Sequence, residues 1–194
     1  MKRIFCLSLI FAATLSSASY AQDVYVGAAV SKSYSSSLNF NDAGTQNNFS
    51  SKDKAMPLKI FVGYEANQNL GIELGYKNFG KATIDPVPGS GSAVTTRANA
   101  WYVAAKGSMS LAEDWSLLGK LGATHMNTHF TGAGELRALS ASTDKAGLYA
   151  AVGTAYQLSK NLALTLELES FGIAKEKNMK FNMNGLSAGI RYQF

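Results

Sequence analysis

Cysteine, proline and charge are all scarce in this chain. Its 194 residues hold one Cys, three Pro and two His, and charged residues make up only 16%, against a usual share of about 25%. One Cys excludes a disulfide scaffold. Few prolines, with 46% hydrophobic residues, exclude a collagen and a disordered chain. Mean hydropathy is near zero, at −0.03, far below that of a polytopic helical membrane protein. Beyond Leu15 no apolar run approaches the roughly 20 residues that a membrane helix needs.

The one long apolar run is at the start. Met1-Lys2-Arg3 is basic, Ile4 to Leu15 is nearly all apolar, and Ser16-Ser17-Ala18-Ser19-Tyr20-Ala21 is small and ends in a Ser-x-Ala site before Gln22. That is the layout of a secretory signal peptide. The expectation is cleavage after Ala21, giving a signal peptide over 1–21 and one domain over 22–194. An anchor is disfavoured because the run is too short to span. Cys6 precedes the apolar run, so it is not a lipoprotein cysteine, and it leaves with the leader. Loss of Lys2 and Arg3 reduces 18 basic residues to 16 against 13 acidic ones, a net +3. That mild charge gives no support for nucleic-acid binding.

What remains alternates with a period of two. Val24, Val26, Ala28 and Val30 interleave with Tyr25, Gly27, Ala29 and Ser31. The same pattern recurs in Leu58–Glu65, Leu70–Lys77, Trp101–Lys106, Trp115–Thr124, Leu148–Leu158, Leu162–Glu169 and Leu186–Phe194. Successive strand residues point to opposite faces, so each segment is a strand with one apolar and one polar face. Eight strands result, each about 9–13 residues long, the length of a tilted membrane-spanning strand rather than an ordinary one.

The polar faces decide which side is inside. They hold small residues, among them Gly27, Ala29, Gly63, Gly71, Gly75, Ala100, Ala104, Gly122, Gly153 and Gly189. A narrow interior needs small residues, and an exposed soluble surface does not. The apolar faces hold no charge, and Leu162, Leu164, Leu166 and Leu168 suit acyl chains. The prediction is an all-β, eight-stranded antiparallel up-and-down transmembrane β-barrel, apolar outside and polar within. Short connections fall near 66–69, 111–114 and 159–161, and long ones near 33–55, 80–97, 128–143 and 170–181. Outer-membrane barrels have short periplasmic turns and longer extracellular loops, so both termini are expected in the periplasm. Tyr64, Trp115, Tyr156, Tyr192 and Phe194 lie on the apolar face at the periplasmic ends, with Tyr76 and Trp101 near the other ends. These are the expected interfacial girdles.

Phe61-Val62-Gly63-Tyr64-Glu65 through Leu70-Gly71-Ile72-Glu73-Leu74-Gly75-Tyr76 resembles the second hairpin of the OmpA-type transmembrane domain. Val24-Tyr25-Val26-Gly27-Ala28 resembles that family's first strand, and Leu186 to Phe194 its last. The resemblance runs in order through the whole mature chain. It implies that Tyr192 and Phe194 form a C-terminal signal read by the barrel-assembly machinery. It also implies that Glu73, Lys106, Lys120 and Glu167 occupy lumen ion-pair positions. Thr165 stands where the family has Arg and Ala155 where it has Glu. The resemblance as far as Phe194 takes in no peptidoglycan-binding domain, so cell-wall tethering of the full OmpA type is not expected.

The inward face holds Lys59, Glu65, Glu73, Lys77, Lys106, Lys120, Glu167, Glu169 and Arg191. Unpaired buried charge is costly, so these are expected to pair across a plugged lumen. A solute porin needs about 16 strands; a small-conductance channel is the alternative reading of the lumen. No catalytic, cofactor or metal site is expected. His125 and His129 share the lipid-side face near the outer rim, with no third ligand in view. Some small outer-membrane barrels are lipid A-modifying enzymes with a His and Ser at the rim, the rival class, but no His-x-Ser pattern occurs here. Ser33, Ser35–Ser37 and Gly89-Ser90-Gly91-Ser92 suit flexible loops. Lys175, Lys177 and Lys180 make the last loop mildly basic, which suits lipopolysaccharide phosphates. Expected partners are outer-membrane lipid and lipopolysaccharide, the assembly machinery, and a host or surface ligand at the loops. The expected state is a monomer in the outer membrane of a Gram-negative cell, with a role in envelope integrity, adhesion or serum resistance.

Overall fold

The computed structural model describes residues 23–40, 56–84, 94–132, 141–172, 175–176 and 179–194. The leader over 1–21, the Gly89–Ser92 run, Lys177 and most of the Tyr34–Lys54 stretch lie outside these residues. Eight strands form one antiparallel sheet: β1 Val24–Phe40, β2 Leu58–Glu65, β3 Leu70–Ile84, β4 Val94–Ser110, β5 Trp115–Gly132, β6 Ala141–Ser159, β7 Leu162–Phe171 and β8 Met179–Gln193. Each strand pairs with its chain neighbour, and β1 pairs with β8 from Tyr25–Gln193 to Phe40–Met179. The sheet thus closes on itself, while Ser33–Phe40 of β1 and Gly80–Ile84 of β3 extend beyond the closed part with described partners on one side only.

Six strands outrun the expected 9–13 residues: β1 and β4 have 17, β3 and β8 have 15, β5 has 18 and β6 has 19. Each extends into a segment expected to be a long loop. Ser33 and Ser35–Ser37, read as loop, sit in β1, and a two-residue segment, Lys175–Glu176, folds back on Met179 and Lys180. The cause is that a ladder needs only backbone partners. Apolar alternation stops where the wall leaves the lipid, but the hydrogen bonds continue.

The short turns lie where expected. At the β2–β3 turn, the Asn67 side-chain oxygen accepts from the Asn69 and Leu70 amides, both at 2.9 Å. Asn69 then clamps the turn to β4: its carbonyl accepts from Ser108 N at 2.7 Å and its Nδ2 donates to Ser108 O at 2.9 Å.

The wall is inverted relative to a soluble protein. Ile60, Val62, Leu70, Ile72, Leu74, Val103, Leu121, Leu148, Leu164, Leu166, Leu168 and Ile190 are exposed outside, while Lys59, Glu73, Lys77, Lys106, Lys120, Glu167 and Glu169 are buried inside. So continuous an apolar belt has no stable place in water. In lipid it is satisfied, and within the belt the described strands are paired on both sides. Rings flank the belt. Tyr76 meets Trp101 at 4.8 Å, Trp115 meets Tyr156 at 5.0 Å and Tyr192 meets Phe194 at 5.2 Å between centroids. Tyr64 is exposed on the same outer surface.

Candidate functional site

The inward side chains of the lumen form three tiers. At the end of the short turns, Glu65 on β2 receives Lys106 of β4 and Arg191 of β8, the latter at 3.3 Å, both on its Oε1. Both cations also lie over the Tyr25 ring, at 4.6 Å for Lys106 and 5.3 Å for Arg191.

The middle tier is an unbroken chain of alternating charges. Lys77 reaches Glu169 at 2.6 Å, Glu169 reaches Lys59 at 2.5 Å, and Lys59 reaches Glu167 at 2.9 Å. Glu167 then pairs with Lys120 at 2.8 Å, and Lys120 with Glu73 at 2.8 Å. Three cations meet three carboxylates, all nearly inaccessible to solvent. Each bridge crosses the barrel rather than running along one ladder. Lys59 is on β2, whereas its two partners sit on β7. An unpaired charge here would cost several kcal/mol, so the geometry of every member matters.

Tyrosine hydroxyls supply the remaining donors. Tyr25 and Tyr102 donate to the two oxygens of Glu73, at 2.9 and 2.6 Å, and Tyr149 donates to Glu169 at 3.1 Å. Lys59 and Lys120 stand over the Phe61 ring at 5.0 and 5.2 Å.

The third tier, toward the long loops, is aromatic. Tyr102 stacks on Tyr149 at 4.1 Å, and Phe171 packs against both at 5.8 and 4.8 Å. Phe79 adds an edge contact to Phe171 at 5.3 Å, and Lys77 caps Phe171 at 4.9 Å. Such offset and edge-on contacts are the favoured arrangements of rings.

The structure brings together Lys59, Glu73, Lys77, Lys120, Glu167 and Glu169 in one group. It places Lys106 and Arg191 in a second group with Glu65. Lys106 therefore does not touch Glu73. Thr165 is buried and polar but joins no ion pair among the described residues, and Ala155 is buried beside it in the ladder. His125 and His129 are exposed on the outer wall. No described cluster of His, Cys, Asp or Glu could hold a metal.

Sequence reasoning missed the lumen aromatics Tyr25, Phe61, Tyr102, Tyr149 and Phe171. A signal for four of them was present. Each stands opposite a glycine on the adjacent strand: Tyr25 and Gly63, Phe61 and Gly27, Tyr102 and Gly75, Tyr149 and Gly122. A methyl added at Gly63 or Gly75 would fall inside the Tyr25 or Tyr102 ring. At Gly27, Gly63 and Gly75 the facing ring occupies the space that a Cβ would need.

The family model of the OmpA-like transmembrane domain matches residues 19–194. Outer membrane protein A of Serratia marcescens is 31% identical over 183 residues, which are 88% of this chain and 49% of that protein. The chain thus spans about half the length of this relative. Neisserial surface protein A is similar in structure, with a TM-score of 0.58 at 15% identity over 88% of this chain and 96% of that one. The N-terminal β-barrel domain of Pseudomonas aeruginosa OprF gives 0.56 at 14% identity, over 88% and 98%. These two likenesses concern the fold.

Proposed function

The chain belongs to the OmpA-like transmembrane domain family and is an outer-membrane β-barrel; from that premise we propose that it acts as a closed, non-enzymatic wall element whose long loops form its interaction surface. The observation that supports this reading is the filled lumen. Six charges in alternation, three tyrosine hydroxyls and an aromatic tier occupy the interior that the described strands enclose. An eight-stranded barrel has an interior just wide enough for such side chains. Held this way, the charges stiffen the wall and block solute passage. Function then falls to the loops, because binding residues concentrate on segments that a rigid scaffold presents. Residues 1–21 serve as the export signal, both ends of the barrel face the periplasm, and Tyr192 with Phe194 is the mark read during assembly.

The test is complementation of a deletion strain with the full gene or with a version whose four long connections are shortened. The phenotypes scored are envelope integrity, attachment and serum survival. Rescue of integrity by both, with attachment or survival restored only by the full gene, is the expected result. Full rescue by the shortened version would remove the loops from the function. Planar-bilayer recording of refolded protein is expected to stay flat, and regular conductance steps would replace the closed wall with a small channel.

A further inference from the structure

One cation on the outer wall owes its place to a slip of strand phase. On β3, Gly71, Glu73, Gly75 and Lys77 face the lumen. Unbroken alternation would send Lys81 inward too. Instead Phe79 has no ladder partner between the pairs Asn78–Asn99 and Gly80–Ala98, and Gly80 takes φ +82°. This is a β-bulge, in which an extra residue resets which side chains face which way. Lys81 consequently pairs with Arg97 on the outward face of β4, and Arg97 pairs with His129 of β5. All three are exposed. With strands about 4.8 Å apart, they span about 10 Å of wall.

Two cations set directly opposite each other repel, and no described carboxylate pairs with either. What lies beneath them is ordered by height. Leu74, Val103 and Ala123 share one register row, then Tyr76, Trp101 and His125, then Asn78, Asn99 and Asn127, and last Lys81, Arg97 and His129. Up the wall the sequence is aliphatic, aromatic, amide, basic. Rings sit at the boundary of a bilayer, so the cations stand at the level of the headgroups. They project sideways, not into the lumen, so an anion reaches them along the outer wall.

We infer that Lys81, Arg97 and His129 form a docking row for the phosphate of an outer-leaflet phosphoglycolipid, whose acyl chains lie on the apolar belt of β3–β5 below. The Arg97 fork suits two phosphate oxygens and Lys81 adds a point charge. The inference rests on the membrane placement, not on the closed lumen.

The experiment reconstitutes the barrel in phosphatidylcholine vesicles containing either bisphosphorylated lipid A or the same lipid stripped of phosphate, then counts lipid A retained per barrel by native mass spectrometry. Wild type is expected to retain the phosphorylated lipid about tenfold better than K81Q/R97Q, and the stripped lipid no better than the variant does. Equal retention by wild type and variant would overturn the row. So would an equal loss in K32Q, because Lys32 faces outward on β1 away from it. Displacement of the lipid by millimolar inorganic phosphate would make this a general anion site and overturn the lipid assignment. The single variant R97Q repeats the comparison if the double variant misfolds. A failure to insert at all, seen as equal gel mobility of boiled and unboiled wild type, would strike the membrane placement instead.

Discussion

At the scale of single residues, each charge of the middle tier depends on its neighbours. Lys59 holds two carboxylates at once, so Lys59→Met leaves Glu167 and Glu169 short of a cation inside a closed wall. Loss of one member of a buried pair costs about 3–5 kcal/mol. The urea midpoint of the refolded protein, followed by gel mobility of unboiled samples, should fall accordingly. Glycine is equally constrained. Gly75→Ala drives a methyl into the Tyr102 ring, which must lift from the wall and release Glu73. Overpacking of this kind costs about 1–3 kcal/mol. Tyr102→Phe, which keeps the ring and deletes one hydroxyl, should cost about 1 kcal/mol. A larger shift for Tyr102→Phe than for Gly75→Ala in the same assay would contradict the ring-on-glycine account.

At the scale of strands and turns, the Asn67 oxygen closes one hairpin by accepting two backbone amides. Asn67→Ala leaves both without that partner and should lower stability by about 1–2 kcal/mol, read from the same urea midpoint. Elements also show what a sequence discloses. Which residues face the lumen was legible, because charge and glycine occupy one phase of the alternation and aliphatic residues the other. Strand ends were not legible, since above the lipid both faces of a strand are polar and nothing in Ser33–Phe40 or Val94–Ala98 distinguishes ladder from loop. The slip at Gly80 was equally hidden: Phe79-Gly80-Lys81 reads as the start of a loop, yet the ladder resumes beyond it. Ion-pair partners were the least legible. Lys59 and Glu167 meet across the barrel, and that meeting depends on strand tilt and stagger, which no local pattern encodes.

At the scale of the whole molecule, an unboiled sample should migrate differently from a boiled one, because the closed ladder resists detergent until heated. The seam between β1 and β8 closes the barrel. It joins the first of the eight strands to the eighth, and its pairs run from Tyr25–Gln193 to Phe40–Met179. Contacts so distant in sequence form slowly. Every species on the way has two open edges and an apolar flank, the features that invite aggregation. Deletion of residues 186–194 should therefore yield aggregates rather than a slightly weaker barrel, as sedimentation of refolded material would record. The interval before the seam meets is thus the chain's most hazardous state, and its length sets how much of the chain ends as barrel rather than as aggregate.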